Sequence, residues 1–302
     1  MVDHEFGGKW TEKKLEALKN YLTQYRLIFT QNEKARYFKT IYVDAFAGTG
    51  ERKAPEVNLE DRQLFGPDEL PEVEAYLKGS ARIALELSSP FDEYVFVDKK
   101  RDHVEQLQAM ITRDFPELEA RCHIQQEDGP QAIRELCKSR NWQKERAVIF
   151  LDPYGMDIEW DLLKQIADTK AVDLWFLFPL GTGANRLLTR DATPPKAFAD
   201  KLTKIFGTDE WKTKFYTQSQ QYTLFGDEQK LVKAASFDPI GQFLVKRLKT
   251  IFPGVAPSTK ALYNSRNNPM YLLCFAAGNP RGASTAIKIA DYLLGQRPND
   301  NQ

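Results

Sequence analysis

From Trp10 to Phe29 the apolar residues Leu15, Leu18, Leu22, Tyr25 and Phe29 recur at intervals of three and four. That spacing predicts one apolar face of an amphipathic helix, packed on the rest of the fold. The pattern then changes period. Thr40-Ile41-Tyr42-Val43-Asp44-Ala45-Phe46 is β-branched and aromatic and breaks at a glycine pair, which predicts a buried strand ending in a tight turn. Residues 51 to 78 are polar, acidic and broken by Pro55, Pro67 and Pro71. They read as an insertion, with a helix resuming at Gly79-Ser80 and Ser80 as its N-cap. Strand and helix patterns then alternate. Strands are expected at Glu93–Asp98, around Cys122–Gln125, at Ala147–Leu151 and at Val172–Phe178. Helices are expected from about Asp102 to Phe115, near Pro130 to Cys137 and near Trp160 to Ile166. Beyond Pro179 helical patterns near 196 to 206 and 238 to 251 precede a strand, Met270–Ala276, and a final helix from about Ser284 to Leu294.

Strands separated by helical segments imply a mostly parallel sheet covered on both faces, because parallel strands need long right-handed crossovers. The expected architecture is α/β and doubly wound, Rossmann-like. It is read as one domain over residues 1 to 302, with an N-terminal helix, an insertion or lid at 51 to 78 and a helical elaboration at 181 to 256.

Composition narrows this only slightly. The 302 residues carry 42 basic and 42 acidic side chains and are 42% hydrophobic. A full core is therefore available, and the whole-molecule field offers no general attraction to nucleic acid or to an anionic membrane. The distribution is less even, with eight basic against two acidic residues from 241 to 302. A lysine-rich solvated helix face explains that surplus better than a footprint for substrate phosphates. Cys122, Cys137 and Cys274 are too far apart in sequence for a CxxC pair and read as reduced core residues. The N-terminus lacks the apolar run of a signal peptide and no window is long enough to span a bilayer, so a cytoplasmic location is expected.

In a doubly wound sheet, ligands bind outside the carboxyl ends of the strands, at the point where strand order reverses. Four such ends carry candidate chemistry. After the first strand stands Asp44-x-Phe46-x-Gly48-x-Gly50, whose glycines let backbone approach a ligand, although a tight turn alone needs the same residues. The second strand ends in Asp98, which can accept the hydroxyls of a ribose or cap the following helix. The third is followed by Asp128, which can accept the exocyclic amine of an adenine or cap the helix that opens at Pro130. The fourth leads into Asp152-Pro153-Tyr154-Gly155, a carboxylate and a ring at the mouth of the central sheet. A turn ending in glycine explains two of those four residues.

These motifs resemble motif I, the ribose acid and motif IV of class I S-adenosylmethionine (SAM)-dependent methyltransferases. More narrowly, Ile41 to Gly50, Gly79 to Glu86 and Phe150 to Gly155 are similar to the three-Cys-motif partner proteins, TcmP, over roughly residues 10 to 180. The resemblance implies SAM as cofactor, held by Asp44, Phe46, Gly48, Gly50, Asp98 and Asp128, with Asp152, Pro153 and Tyr154 on the acceptor. It also implies a three-Cys-motif, radical-SAM-like protein as partner; the cysteines of the family name belong to that partner. Enzymes that methylate the adenine amine carry Asp-Pro-Pro-Tyr, and the second proline is absent here.

The expected reaction is methyl transfer to a nitrogen of a nucleic-acid base, a peptide or another amine, with Asp152 orienting the amine and sharing its developing charge. No histidine stands at the first or fourth strand end, and no metal is implied. Two other classes compete. A non-catalytic SAM-binding partner or scaffold would keep the fold, and an NAD-dependent oxidoreductase would share the glycine loop and Asp98. The latter is disfavoured by Glu51-Arg52-Lys53, which lacks the third glycine of a dinucleotide fingerprint.

Overall fold

A computed structural model of the chain describes residues 9–50, 79–153, 155–223, 226–264 and 267–295. In chain order the elements that position the site are α1 (Lys9–Gln31), β1 (Lys39–Asp44), α2 (Ser80–Leu85), β2 (Glu93–Asp98), α3 (Arg101–Asp114), β3 (Cys122–Gln126), α4 (Gly129–Ser139), β4 (Glu145–Leu151), α5 (Trp160–Asp168) and β5 (Val172–Pro179). A π-helical turn, Leu180–Ala184, leads on to α6 (Lys196–Phe206), α7 (Trp211–Lys214), β6 (Tyr216–Thr223), β7 (Gly226–Lys233), α8 (Phe237–Leu248), β8 (Gly254–Val255), β9 (Lys260–Tyr263), β10 (Pro269–Ala277) and α9 (Ala283–Gly295).

The main sheet runs β3-β2-β1-β4-β5-β10-β8, with β9 on the far part of β10. The five strands from β3 to β5 are parallel, and β10 is antiparallel to β5. Strand order reverses between β1 and β4, the switch point of a doubly wound, Rossmann-like sheet.

Side chains alternate between the faces at a period of two. Ile41, Val43, Ile149, Leu174 and Phe176 face α4, α5, α6 and α8. Tyr42, Tyr94, Phe96, Phe150, Trp175 and Phe275 face α1, α2, α3 and α9. The second layer is largely aromatic. The face foreseen for α1 packs into it, with Leu15, Leu18, Leu22 and Tyr25 buried. The Tyr21 hydroxyl donates to Asp173 at 2.8 Å and pins α1 to the start of β5.

Three points depart from or extend the sequence reading. Ser80 lies in the first turn of α2 and is not its cap; Gly79, at φ 142°, takes that position without a side-chain hydrogen bond. The segment 181 to 256 is helical in α6, α7 and α8 but also holds the β6–β7 hairpin, which pairs only with itself. Its return end is anchored where Lys233 Nζ donates to Asn185 Oδ1 at 2.6 Å and to the Asn185 carbonyl at 2.7 Å. The insertion at 51 to 78 lies outside the described residues, and so does its reading as a lid.

All three cysteines are free, Cys274 buried and the other two half-buried. Burial pushes the thiols of Cys122 and Cys137 up to about 12. Among the described residues no helix is long and apolar enough to cross a membrane.

Candidate functional site

The carboxyl edge of the sheet is stitched together by backbone hydrogen bonds that cross from strand to strand. Ala45 N–H donates to the Phe150 carbonyl at 3.3 Å, Ala47 N–H to that of Val97 at 3.0 Å, and Glu127 N–H to that of Asp98 at 3.2 Å. The loop after β1 is thereby fixed to the ends of β4 and β2, and the end of β2 to the turn after β3. Gly48 and Gly50 take φ of 60° and 69°, the left-handed region that residues with a Cβ rarely enter. At Gly50 a Cβ would also meet Met110 Cε at 2.5 Å and Leu107 Cδ1 at 2.9 Å. Backbone conformation and contact with α3 thus require glycine there irrespective of any ligand.

Asp98 is the best organised of the candidates. Its Oδ2 accepts from Gly48 N–H at 3.0 Å and faces His103 Nδ1 at 3.1 Å, while Oδ1 accepts from Lys100 N–H at 2.8 Å. A carboxylate accepts only, so His103 Nδ1 carries the proton in this contact. Asp98 does not cap α3, whose N-cap is Lys100 with no side-chain bond. It joins the glycine loop to the second strand instead. Two oxygens offer about four acceptor positions, so one remains beyond the three in use.

Asp44 is fully buried and turns back on its own loop, with Oδ1 accepting from Phe46 N–H at 3.2 Å. The Tyr42 hydroxyl approaches its other oxygen at 3.5 Å. Burial, the charge and hydrogen bond of Asp44 and the charge of Asp152 together hold the Tyr42 phenol protonated, well above its ordinary range. The structure therefore brings Asp44 and Asp152 to one phenol at the mouth of β1 and β4. Asp152 and Pro153 are buried behind the end of β4. Tyr154 lies outside the described residues.

Asp128 caps α4, accepting from Gln131 N–H at 3.2 Å with Pro130 in the first turn. The capping role foreseen for it is present. The next residue brings this turn to the site: a Cβ on Gly129 would lie 2.4 Å from the Ala45 carbonyl oxygen and 3.2 Å from the Phe46 ring. Asp128 and Phe46 consequently stand on neighbouring turns of the same edge.

His103 and Tyr42 were not among the residues singled out from sequence. His103 follows Asp98 by five positions, in the first turns of the next helix, and that proximity was the available signal. A cavity of about 690 Å³ between α8, β9 and β10 adjoins the carboxyl edge at Leu180 and Pro269, and Lys246 and Lys249 line it. Part of the C-terminal basic surplus sits there.

No family model matches the sequence, and no curated protein matches it. Solved structures match more loosely. Protein LPL1258 of Legionella pneumophila, of the family model DUF519, is 13% identical over 95% of this chain and 94% of its own, with a TM-score of 0.45. A putative S-adenosylmethionine-dependent methyltransferase from Listeria monocytogenes is 12% identical over 84% and 97%, with a TM-score of 0.33. A S-adenosylmethionine-dependent methyltransferase from Clostridium acetobutylicum is 10% identical over 87% and 91%, at 0.35. At TM-scores under 0.5 these likenesses carry no weight for the function, which rests on topology and on the residues of the carboxyl edge.

Proposed function

We propose that the chain is a SAM-dependent methyltransferase, acting on a nitrogen of a nucleic-acid base, a peptide or another amine. The observation that carries this reading is the Asp98 carboxylate, held at 3.0 Å from Gly48 N–H where strand order reverses, with one acceptor position to spare. A ribose hydroxyl fits that position. The residues present suit the donor: a left-handed glycine loop for close approach, Asp98 for the ribose, and the Asp128 turn beside Phe46 for the adenine. When bound, SAM supplies an electrophilic methyl group.

The chain's own residues then orient the acceptor. Asp152 accepts from the acceptor amine and shares the positive charge that develops on it, a charge-assisted bond strengthened by the burial of the carboxylate. Tyr42, kept protonated, stands beside the same carboxylates without competing for a proton. Positioning supplies most of the acceleration in such a displacement. The narrower resemblance to the three-Cys-motif partner proteins adds a radical-SAM-like partner to the proposal.

The antiparallel β10 speaks against the NAD-dependent alternative, since two βαβαβ halves would place a sixth parallel strand beyond β5. Calorimetric titration of the purified chain with SAM, S-adenosylhomocysteine and NAD tests the reading. Asp98→Ala removes a hydrogen bond worth about 1.5–3 kcal/mol, roughly a ten- to hundredfold loss of SAM affinity. Tighter binding of NAD than of SAM, or an unchanged SAM affinity in the variant, refutes it. Asp152→Ala separates enzyme from scaffold: methyl transfer falls steeply while SAM affinity stays within about threefold, under the 1.4 kcal/mol of a tenfold change.

A further inference from the structure

The amino-terminal edge of the sheet, at the opposite end of β4 and β5 from the glycine loop, holds a cavity of about 440 Å³. That volume is within the roughly 300–1,000 Å³ of small-molecule sites. Its floor is the Tyr21–Asp173 pair. A carboxylate two residues into a buried strand is not required by packing. Burial raises it to about 6 against the opposing hydrogen bonds from Tyr21 and the Gly278 N–H.

The walls are aromatic and cationic. Tyr25 and Phe29 pack at a tilt with centroids 4.6 Å apart on one side, and Tyr37 and Phe38 contact at 4.0 Å on the other. Tyr37 is 67% exposed at the rim, a large ring with one side unused. The Arg146 guanidinium lies 3.6 Å from the Phe38 centroid, and its buried Nε has no hydrogen-bond partner. Lys34 and Arg281 complete the rim. Burial lowers Arg146 from its ordinary value, and the charge of Arg281 adds to that effect although Tyr25, Tyr37 and Asp173 oppose it. Three cations thus converge on a cavity whose only carboxylate among the described residues sits at the bottom.

We propose that this cavity is a second ligand site, separate from the donor edge, built for a nucleoside 5′-phosphate. The base lies against the exposed face of Tyr37 with an N–H edge turned inward to Asp173, while the phosphate pairs with Arg281 and Lys34 at the rim. Each recognition element matches one part of such a ligand: an acceptor-only group for a base N–H, a π-face for the ring, and cations for the phosphate. The seven residues of β4 separate this site from the glycine loop by about 20 Å, at ~3.3 Å per residue.

Calorimetric titration of the full chain with AMP, GMP, adenosine and inorganic phosphate tests the proposal. Tyr37→Ala and Arg281→Gln change exposed rim residues, and Asp98→Asn perturbs the donor edge. AMP or GMP is expected to bind, at least about fivefold more weakly to either rim variant, the low end of base–aromatic stacking for Tyr37. Binding to Asp98→Asn is expected to stay within about twofold, and adenosine to bind more weakly than AMP. Nucleotide binding that is lost in Asp98→Asn but kept in both rim variants places the ligand at the donor edge and overturns the proposal. Phosphate binding as tight as AMP and indifferent to Tyr37→Ala reduces the site to a free-anion site, and absence of binding by both nucleotides also overturns it.

Discussion

Replacing Asp173 by asparagine isolates the strain that a buried carboxylate places on the fold. Tyr21 OH donates to Asp173 at 2.8 Å, and the Gly278 backbone N–H bonds to it as well. An asparagine carbonyl can keep at least one of these bonds while removing the charge. Burial raises the carboxyl from 3.8 to about 6. Because the folded value lies above the unfolded one, its contribution to stability is fully present below about pH 3.8. It is lost as pH rises through about 6. At 1.36 kcal/mol per pKa unit, the difference amounts to about 3 kcal/mol once the group is ionised.

The wild-type chain should therefore lose about 2.5 kcal/mol relative to Asp173→Asn between pH 4 and pH 8. Loss of one neutral hydrogen bond in the variant, about 1 kcal/mol, is a constant offset that does not alter the slope. Urea unfolding of both proteins at half-unit pH steps reads the difference directly, since every other titrating group is common to the pair. A gap that stays constant across this range refutes the argument, and one that grows in the opposite direction means that Arg146 stabilises the ionised form more than burial opposes it.

Three further outcomes are expected. Burial would raise Glu93, but Arg140 and Lys39 outweigh it and hold the carboxyl at about 2, so its contribution is present above about pH 4.5 and lost as pH falls through about 2. Glu93→Gln should cost about 2 kcal/mol at pH 7, the full shift discounted for the half-exposed Lys39, and a denaturant series should show that cost shrinking below pH 4.5. His103→Ala should weaken SAM binding about fivefold by releasing Asp98, whereas His103→Asn, which can still donate, restores most of it in the same titration. Gly129→Ala should lower stability by about 1–3 kcal/mol, because its Cβ would meet a backbone oxygen that cannot move freely, and an unchanged melting temperature refutes this.

The parallel half of the sheet was legible chiefly because β1, β2, β4 and β5 are apolar runs buried along most of their length and alternate with helical periods; β3, at the edge, is short and partly exposed. The boundaries of α6, 196 to 206, agree with the structure to the residue. The direction of β10 was not legible: Met270 to Ala276 is apolar throughout, and such a run reads the same either way along the sheet. The β6–β7 hairpin escaped for the opposite reason. Tyr-Thr-Gln-Ser-Gln-Gln-Tyr-Thr and Gly-Asp-Glu-Gln-Lys-Leu-Val-Lys carry too few apolar residues to mark a buried strand, and the two pair only with each other.

At the site, sequence spacing found the strand ends but not the bonds between them. Nothing in Asp98 or Gly48 taken separately announces that one accepts from the other across 50 positions. His103 stands at neither the first nor the fourth strand end in the sequence, and only the fold turns it onto Asp98. Asp128 shows why capping and ligand binding were poor alternatives. Its Oδ1 serves the Gln131 N–H and fixes the side chain at the start of α4. The Gly129 contact then clamps that turn to the Ala45 carbonyl, beside Phe46. A cap of this kind holds the carboxylate in one orientation at the carboxyl edge of the sheet, so the capping role is compatible with the proposed binding role and would supply the preorganisation it requires.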